Sequence, residues 1–205
     1  MDVAAPLRVE RLTPARREDF LRFFDHERGP AFADNPGWAP CYCHFHHVAP
    51  ALDWSALTAE ANRMAMDARI ACAEMEGYLA YRDEQVVGWL NAQPRHRLQH
   101  CEARIGVAAP ATGVPAHRAA AIVCFVVAPM ERGHGVARGL LVHALDDLAA
   151  RGVVVVDAYP ARQAAADAAD GDHFRGPPGL FAATGFAPVG GNADTEIVRK
   201  WLHGP

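Results

Sequence analysis

A predicted strand, a glycine-rich turn and a predicted helix follow one another between residues 123 and 148, and no other segment constrains the fold as strongly. The apolar run 123–127 predicts a buried strand, which Pro129 ends. Gly133 and Gly135 carry no Cβ, so the backbone of the turn can approach a ligand closely. The first N–H groups of the following helix lack intrahelical acceptors, and phosphate binds well at such a helix end. The segment therefore predicts an anion-binding turn between a strand and a helix.

A second buried strand follows this helix. Between Ala137 and Leu148, apolar residues recur at three- and four-residue spacing, which predicts one buried helical stripe, and Gly152 predicts the helix end. The four valines 153–156 form a continuous β-branched run, typical of a strand buried on both faces. A right-handed crossover through the helix makes the two strands parallel neighbours. The chain is therefore predicted to have an α/β fold.

The turn does not fit two common phosphate-binding motifs. Its glycines do not follow the G-x-G-x-x-G dinucleotide fingerprint, and the chain contains no Gly-Lys-Ser or Gly-Lys-Thr sequence of a P-loop. The pattern Arg132-x-x-Gly135-x-Ala137 instead resembles the pyrophosphate loop of the GNAT superfamily of N-acetyltransferases. Two further segments resemble this superfamily in the same order, namely the predicted hairpin 77–91 and the segment 179–186 with its Gly-Phe step.

The resemblance implies a fold, a cosubstrate and a reaction. The implied fold is a single α/β domain with a mixed central β-sheet, parallel central strands splayed at the coenzyme site, and helices on both faces. Residues 1–76 would form a helical acceptor-side region and residues 77–202 the coenzyme-binding core. The implied reaction transfers an acetyl group from acetyl-coenzyme A to a primary amine of a small molecule or peptide, by direct attack in a ternary complex. The residues implied to bind the coenzyme are Phe125, Val126, Val127, Arg132, Gly133, His134, Gly135, Val136, Ala137, Arg138 and Phe181.

The catalytic groups are less clearly marked than the coenzyme turn. In the superfamily a backbone N–H of the strand before the turn commonly polarises the acetyl carbonyl, and the resemblance assigns this role to Val127. Many members protonate the leaving thiolate with a tyrosine on the closing helix, but this chain has Phe181 there. Asp157 and Tyr159 lie on the same face at the end of the second strand and are predicted as proton acceptor and proton donor. The alternative is that both end a strand as ordinary hydrogen-bonded groups.

Five potential metal ligands occur within residues 41–47, which read Cys-Tyr-Cys-His-Phe-His-His. Structural zinc usually takes two separated ligand pairs, so the cramped spacing argues against a metal site and no metal is expected. The resemblance places the segment before the second helix and implies that it lines the acceptor pocket; plain loop packing is the other interpretation. The predicted acceptor-binding residues are Cys41, Tyr42, Cys43, His44 and His46, and His44, His46 and His173 are further base candidates because imidazole titrates near neutrality.

Two other functions stay open from the sequence. A non-catalytic acyl-coenzyme A sensor would keep the turn and lack acceptor chemistry, which the absent helix tyrosine favours. A metal-binding regulator would use residues 41–47. Cys124, inside the first strand, has no basic neighbour in sequence and is predicted to be a small hydrophobic residue rather than a nucleophile. Segment 31–50 contains a single carboxylate, Asp34, which argues against a polycationic acceptor.

Charge, hydropathy and cysteine content limit the classes of partner and the cellular location expected for this chain. The net charge of −4 gives no indication of a nucleic-acid or membrane-surface partner, and no apolar run is long enough to span a bilayer. The five cysteines lack the spacing of a disulfide framework, which favours reduced thiols and a cytoplasmic protein. Segment 195–202 alternates like a strand that could pair at the edge of a homodimer. Segment 93–115 is expected to form a loop or irregular strand, and the connection 161–172 to be mobile.

Overall fold

Seven strands form one mixed sheet in the order β1-β2-β3-β4-β5-β7-β6. The computed structural model describes residues 6–25, 31, 40–162 and 172–202, the last range with side chains from residue 174 onward. The strands are β1 (Arg8–Arg11), β2 (Tyr78–Arg82), β3 (Gln85–Pro94), β4 (Ala119–Val127), β5 (Val155–Ala158), β6 (Ala187–Gly191) and β7 (Glu196–Trp201). The helices are α1 (Arg17–Phe24), α2 (Ala59–Ala71), α3 (Cys101–Ile105), α4 (Val136–Ala150) and α5 (Pro178–Ala183).

The central strands β4 and β5 are parallel and separate from each other, as predicted. β5 pairs with β4 only along residues 119–122, and β5 ends at Ala158. Residues 123–127 of β4 therefore continue beyond their neighbour. β5 begins two residues after the start of the valine run, and the N–H of Val154 is bonded to the carbonyl of Arg118 immediately before the paired residues. The separation creates the cleft that the sequence predicts at the end of these strands.

A bulge in β4 decides which side chains face each side of the sheet. The register between β3 and β4 shifts by one residue, so that Val123 is an extra residue in β4. A bulge leaves the extra residue unpaired and changes the direction of the strand. Phe125 packs with the core beneath α4, whereas Cys124 and Val126 pack with the core beneath α1 and α2.

Helices cover both faces of the sheet, as predicted. α4 buries Leu140, Leu141 and Leu148 on one face. On the other face, Phe20 of α1 meets Trp89 of β3 edge to face, with ring centroids 4.9 Å apart. α2 is shorter than the helical segment 57–76 that the sequence suggests, because Thr58 caps its N-terminus by accepting the N–H of Ala61 at 3.1 Å.

Three expectations need correction. The segment 1–76 is not only helical, because the short charged stretch at its start forms the edge strand β1. Segment 195–202 does not lie at a sheet edge, since β7 is paired with β5 on one side and β6 on the other. Segment 93–115 is more ordered than a loop: β3 runs to Pro94, and α3 follows. Most of the connection 161–172 lies outside the described residues.

Across the described ranges, no helix combines the length and the apolar composition needed to cross a bilayer.

Candidate active site

The glycine-rich turn has the open backbone that an anion site requires. Gly133 and Gly135 have φ values of 78° and 80°, in the left-handed region that favours glycine. A Cβ added at either position would meet no described atom within 4 Å, so the space beside the turn is open. Gly135 is the N-cap of α4 and provides no side-chain acceptor for the first helical N–H groups. The backbone donors of Val136, Ala137 and Arg138 are therefore available to a ligand, and Arg132, His134 and Arg138 are exposed around them.

The edge of β4 beside this turn offers further backbone donors. The N–H of Ala128 donates to the carbonyl of Val87 in β3 at 3.0 Å. Because successive residues of a strand direct their N–H groups to opposite sides, Val127 and Phe125 direct theirs away from β3, toward the side where β5 has ended. The carbonyl of Val127 accepts a hydrogen bond from Arg132 Nε at 3.2 Å, which ties the strand to the turn. The backbone near Val127 thus has the orientation that the sequence-based prediction requires.

Phe181 lies inside this region without contributing a polar group. Its side chain is completely buried, with ring centroids 5.9 Å from Phe125 and 5.2 Å from Phe186. The space that a tyrosine ring would occupy is therefore filled by an apolar aromatic cluster.

A cavity of about 350 Å³ opens on the other side of β4, and we call it the acceptor cavity. Most of its lining is aromatic or aliphatic, and among the described residues no lining side chain is a carboxylate or a permanent cation. The lining residues are Phe24, Pro40, Cys41, Cys43, Phe45, His46, Trp54, Ser55, Leu57, Cys124, Val126 and Phe174. The aromatic residues come from four separate segments, and nothing in the sequence marks them as a group.

Segment 41–47 supplies part of this lining and part of its support. Of the five residues predicted to bind the acceptor, Cys41, Cys43 and His46 line the cavity. Tyr42 instead donates to Asp25 Oδ1 at 2.9 Å, and His44 is bonded through Nδ1 to the Asn62 side chain at 2.8 Å. Tyr42 and Cys43 have φ values of 45° and 58°. Such conformations are strained in non-glycine residues and are concentrated at functional sites.

His46 is the titratable group best placed in the acceptor cavity. Its side chain is 3% exposed, and burial together with the charge of Arg175 lowers the pKa of His46 to about 4, against the opposing effect of a hydrogen bond to the backbone of Val123. Nδ1 is buried and has no hydrogen-bond partner among the described residues. The lowered pKa keeps the imidazole of His46 neutral at physiological pH.

Buried imidazoles also make the fold sensitive to acid. Burial and nearby positive charges, Arg69 foremost, lower the pKa of His47 to about 3. In the unfolded chain the pKa values of both His46 and His47 return to about 6.5. Because the pKa values in the folded state are lower, the unfolded state binds more protons below about pH 6.5. The contribution of the two neutral imidazoles to the free energy of unfolding is therefore complete above about pH 6.5, and it is lost as the pH falls toward the folded-state pKa values.

We expect the free energy of unfolding to fall by roughly 2 kcal/mol for each of these imidazoles between about pH 7.5 and about pH 4.5. Urea unfolding at a series of pH values measures this loss. A His47→Gln variant should show a correspondingly shallower pH dependence. An unchanged slope in the variant would contradict the assignment of His47 as a buried neutral group.

Asp157 and Tyr159 share a face, as predicted, but both are engaged in a buried cluster. Arg199 Nε donates to Asp157 Oδ1 at 2.6 Å, and Arg95 Nη1 donates to Oδ2 at 3.1 Å. The Tyr159 hydroxyl donates to Glu102 Oε1 at 2.9 Å, and Glu102 also pairs with Arg95. Burial, followed by the negative charge of neighbouring groups, raises the pKa of Tyr159. The catalytic roles of these two residues stay predictions, and their contacts favour the alternative that they stabilise the fold.

An Asp157→Asn substitution separates these two interpretations. Removing the charge leaves two guanidinium groups around a side chain that is 1% exposed, and breaking a buried ion pair on one side costs roughly 3 kcal/mol. We expect a loss of stability of this size in urea unfolding, with the turnover of the remaining folded protein changed by less than about threefold. A large loss of turnover with unchanged stability would instead support the catalytic role.

Across the described residues, no group of three or more His, Cys, Asp and Glu side chains converges so as to hold a metal ion. The side chain of His173 lies outside the described part of the chain.

Comparison with known proteins gives a consistent result. A family model described as the acetyltransferase (GNAT) family matches residues 47–169, a range that contains β2 to β5 and the glycine-rich turn. A search of curated proteins found no match. A solved structure of a putative GNAT acetyltransferase from Desulfovibrio desulfuricans is 14% identical, with a TM-score of 0.55, covering 97% of this chain and 100% of that chain.

Two other solved structures have comparable similarity. The PaiA N-acetyltransferase from Thermoplasma acidophilum, in complex with coenzyme A, is 11% identical with a TM-score of 0.53, covering 96% of this chain and 99% of that chain. The ribosomal-protein-S18-alanine N-acetyltransferase from Escherichia coli is 14% identical with a TM-score of 0.51, covering 98% of this chain and 96% of that chain. At these identities the similarity establishes the fold.

Proposed function

Because the chain belongs to the GNAT family of acetyltransferases, we propose that it transfers an acetyl group from acetyl-coenzyme A to a primary amine. The observation that carries this proposal is that the predicted coenzyme site and the acceptor cavity both adjoin strand β4. The open glycine-rich turn and the free strand edge lie beside β4, and the acceptor cavity reaches the same strand at Cys124 and Val126.

Residues of the turn and of α4 suit the pyrophosphate of the coenzyme. The backbone N–H groups of Val136, Ala137 and Arg138 point out of the helix N-terminus, where the helix dipole also favours negative charge. The exposed side chains of Arg132 and Arg138 add positive charge at the same place. The solved structure of the Thermoplasma acidophilum protein contains coenzyme A on the same fold, which supports this assignment.

The edge of β4 suits the acyl end of the cosubstrate. The N–H groups of Phe125 and Val127 are directed into the cleft, and a fixed backbone donor stabilises negative charge that develops on a carbonyl oxygen during attack. A backbone donor needs no particular side chain, so this role is compatible with the apolar sequence of the strand. The donors are held in place by the pairing of β4 with β3.

His46 is the group we propose as general base. Its imidazole lines the acceptor cavity and is neutral, and the backbone of Val123, the bulge residue of β4, acts on it electrostatically. A neutral imidazole can accept the proton that an amine loses as it attacks the thioester.

The acceptor cavity favours an amine with an aromatic or aliphatic body. Its lining contains Phe24, Phe45, Trp54 and Phe174, and within the described ranges it offers no carboxylate to a second positive charge. Its volume of about 350 Å³ suits a small molecule or a single side chain. A polycationic acceptor would lose the hydration of its charges here without gaining a partner.

The test is release of free coenzyme A from acetyl-coenzyme A with a panel of amines, comparing aromatic monoamines such as phenethylamine with the polyamine spermidine. We expect kcat/KM to be at least about tenfold higher for the aromatic amines. A preference for spermidine would contradict the assigned acceptor class. Absence of turnover with every amine, together with retained coenzyme binding, would favour a non-catalytic sensor.

A further inference from the structure

The sulfur of Cys43 lies in the wall of the acceptor cavity, next to β4. Cys43 is 2% exposed, and it lines the acceptor cavity together with Cys124, the residue that follows the β4 bulge, with which it interacts electrostatically. Cys124 precedes Phe125, whose N–H is directed into the coenzyme cleft. Cys43 therefore lies on the acceptor-cavity side of β4, near the strand residues that adjoin the coenzyme cleft.

A chain of buried amides determines which atom faces this sulfur. The backbone N–H of Glu76 donates to Gln93 Oε1 at 3.2 Å, so the amide nitrogen of Gln93 must point the other way. That nitrogen donates to Asn91 Oδ1 at 2.7 Å, which leaves the Asn91 nitrogen directed at Cys43. The distance from Asn91 Nδ2 to Cys43 Sγ is 3.2 Å. Gln93 and Asn91 are completely buried, which leaves the Asn91 donor little freedom to turn away from Cys43.

A second buried donor lies beside the same sulfur. The Trp89 side chain is completely buried, and its Nε1 has no partner of normal hydrogen-bond geometry among the described residues. A buried N–H without a partner is unfavourable and needs an explanation. This N–H and the Cys124 thiol favour negative charge on Cys43 electrostatically, and Asn91 Nδ2 is the donor in hydrogen-bond contact with its sulfur. A negatively charged sulfur, rather than a neutral thiol, would use all three donors.

The three thiols of the acceptor cavity differ in their electrostatics. Burial opposes charge on Cys43, but hydrogen bonds from Cys124, Asn91 and Trp89 outweigh this effect and lower the pKa of Cys43. Burial raises the pKa of Cys41 to about 12, and the hydrogen bond to Cys43 together with burial raises the pKa of Cys124. The surroundings therefore favour the thiolate at only one of the three positions, and the thiolate is the nucleophilic form.

We propose that Cys43 accepts the acetyl group of acetyl-coenzyme A and holds it as a thioester on the protein. This proposal rests on the proposed function, because it requires acetyl-coenzyme A in the cleft. The Cys43 sulfur forms a new bond to the acetyl carbon, and the bond from that carbon to the coenzyme sulfur breaks. The proton of the Cys43 thiol ends on the coenzyme sulfur, so one thioester is exchanged for another without any oxidant or reductant.

Intact-protein mass spectrometry of the full chain with acetyl-coenzyme A and without an amine tests this proposal. A non-thiol reductant keeps the cysteines reduced. We expect the mass of one acetyl group to be added per chain, to be removed by hydroxylamine, and to map to the peptide that contains Cys43. Cys72 is exposed and serves as an internal control, since indiscriminate acylation would modify it first.

Two variants and a reference state sharpen the result. Cys43→Ala should lose the adduct. Trp89→Phe keeps an aromatic ring but removes the N–H, and should slow adduct formation about tenfold if this donor stabilises the charged sulfur during the reaction. The wild-type chain unfolded in urea gives the rate of uncatalysed acylation, and the folded chain should exceed it by at least about tenfold at Cys43.

Three outcomes would overturn the proposal: no adduct on a protein that binds acetyl-coenzyme A by calorimetry, an adduct that resists hydroxylamine, or equal modification of Cys72. Peptide mapping of the wild type keeps the proposal testable even if a variant fails to fold. Turnover of amines without an acetylated Cys43 would leave the proposed function standing and reject this inference. Failure to bind acetyl-coenzyme A would reject the proposed function itself.

Discussion

A Gly135→Glu variant should bind acetyl-coenzyme A about a thousandfold more weakly than the wild type, a loss of about 4 kcal/mol. Gly135 has a φ of 80°, so any side chain imposes left-handed strain of about 1–2 kcal/mol at the N-cap of α4. The added carboxylate would also project into the open space beside the turn and repel the pyrophosphate. Isothermal titration calorimetry with acetyl-coenzyme A measures the change in affinity.

The same helix provides a matched control. Gly152, just past the C-terminus of α4, has a φ of 83° and likewise open space beside it. Gly152→Glu therefore introduces the same charge and a similar backbone strain about 22 Å away along a helix of 15 residues. We expect both variants to lose thermal stability, and only Gly135→Glu to lose coenzyme affinity. Equal affinity in wild type and Gly135→Glu would contradict the assignment of the coenzyme turn.

A His46→Gln variant should lower kcat about a thousandfold while leaving the affinity for acetyl-coenzyme A unchanged, since removal of a general base typically reduces the rate by this order. Glutamine can keep a nitrogen donor near the carbonyl of Val123, but it has no ring nitrogen with a basic lone pair. Steady-state kinetics with the preferred amine, combined with calorimetry, separates the loss of chemistry from a loss of binding.

His44→Gln is the appropriate control for this variant. His44 is two residues away and is bonded to Asn62, and it does not line the acceptor cavity. We expect its kcat to change by less than about threefold. A comparable loss in both variants would show that the segment 41–47 matters as a structural unit and would remove the support for His46 as the base.

The pH dependence provides an independent check on His46. Because its pKa is lowered to about 4, this residue stays in its neutral form throughout the neutral range. The rate should therefore show no loss attributable to His46 between about pH 8 and about pH 6. An inflection near pH 6.5 that disappears in the His46→Gln variant would contradict the buried, neutral state assigned to it.

Local patterns were sufficient for the coenzyme side of the molecule. The strand 123–127, the turn with Gly133 and Gly135 and the helix after it are contiguous in the sequence, so periodicity and glycine placement determine them without reference to distant residues. The parallel pairing of β4 and β5 follows from the same unit, because a crossover helix of this length requires it. The family resemblance rests on the same contiguous residues, and the family model confirms it.

The acceptor side depended on contacts between distant segments. Asp157 and Tyr159 satisfy the alternation rule that placed them on one face, yet their partners Arg95, Glu102 and Arg199 come from other elements and engage both polar groups. No local rule predicts which buried carboxylate will find two guanidinium groups. The sequence therefore identified a shared face correctly and could not determine how its polar groups are paired.

The sequence by itself determined the α/β crossover and the glycine-rich turn, because each of these depends on spacing within a few consecutive residues. Only the tertiary structure decided that His46 is a neutral base candidate and that Cys43, rather than Cys124, has the donors of a nucleophile. The physical reason is that desolvation and hydrogen bonding set the charge state of a buried group, and both arise from residues remote in sequence, such as Val123 for His46 and Asn91 for Cys43.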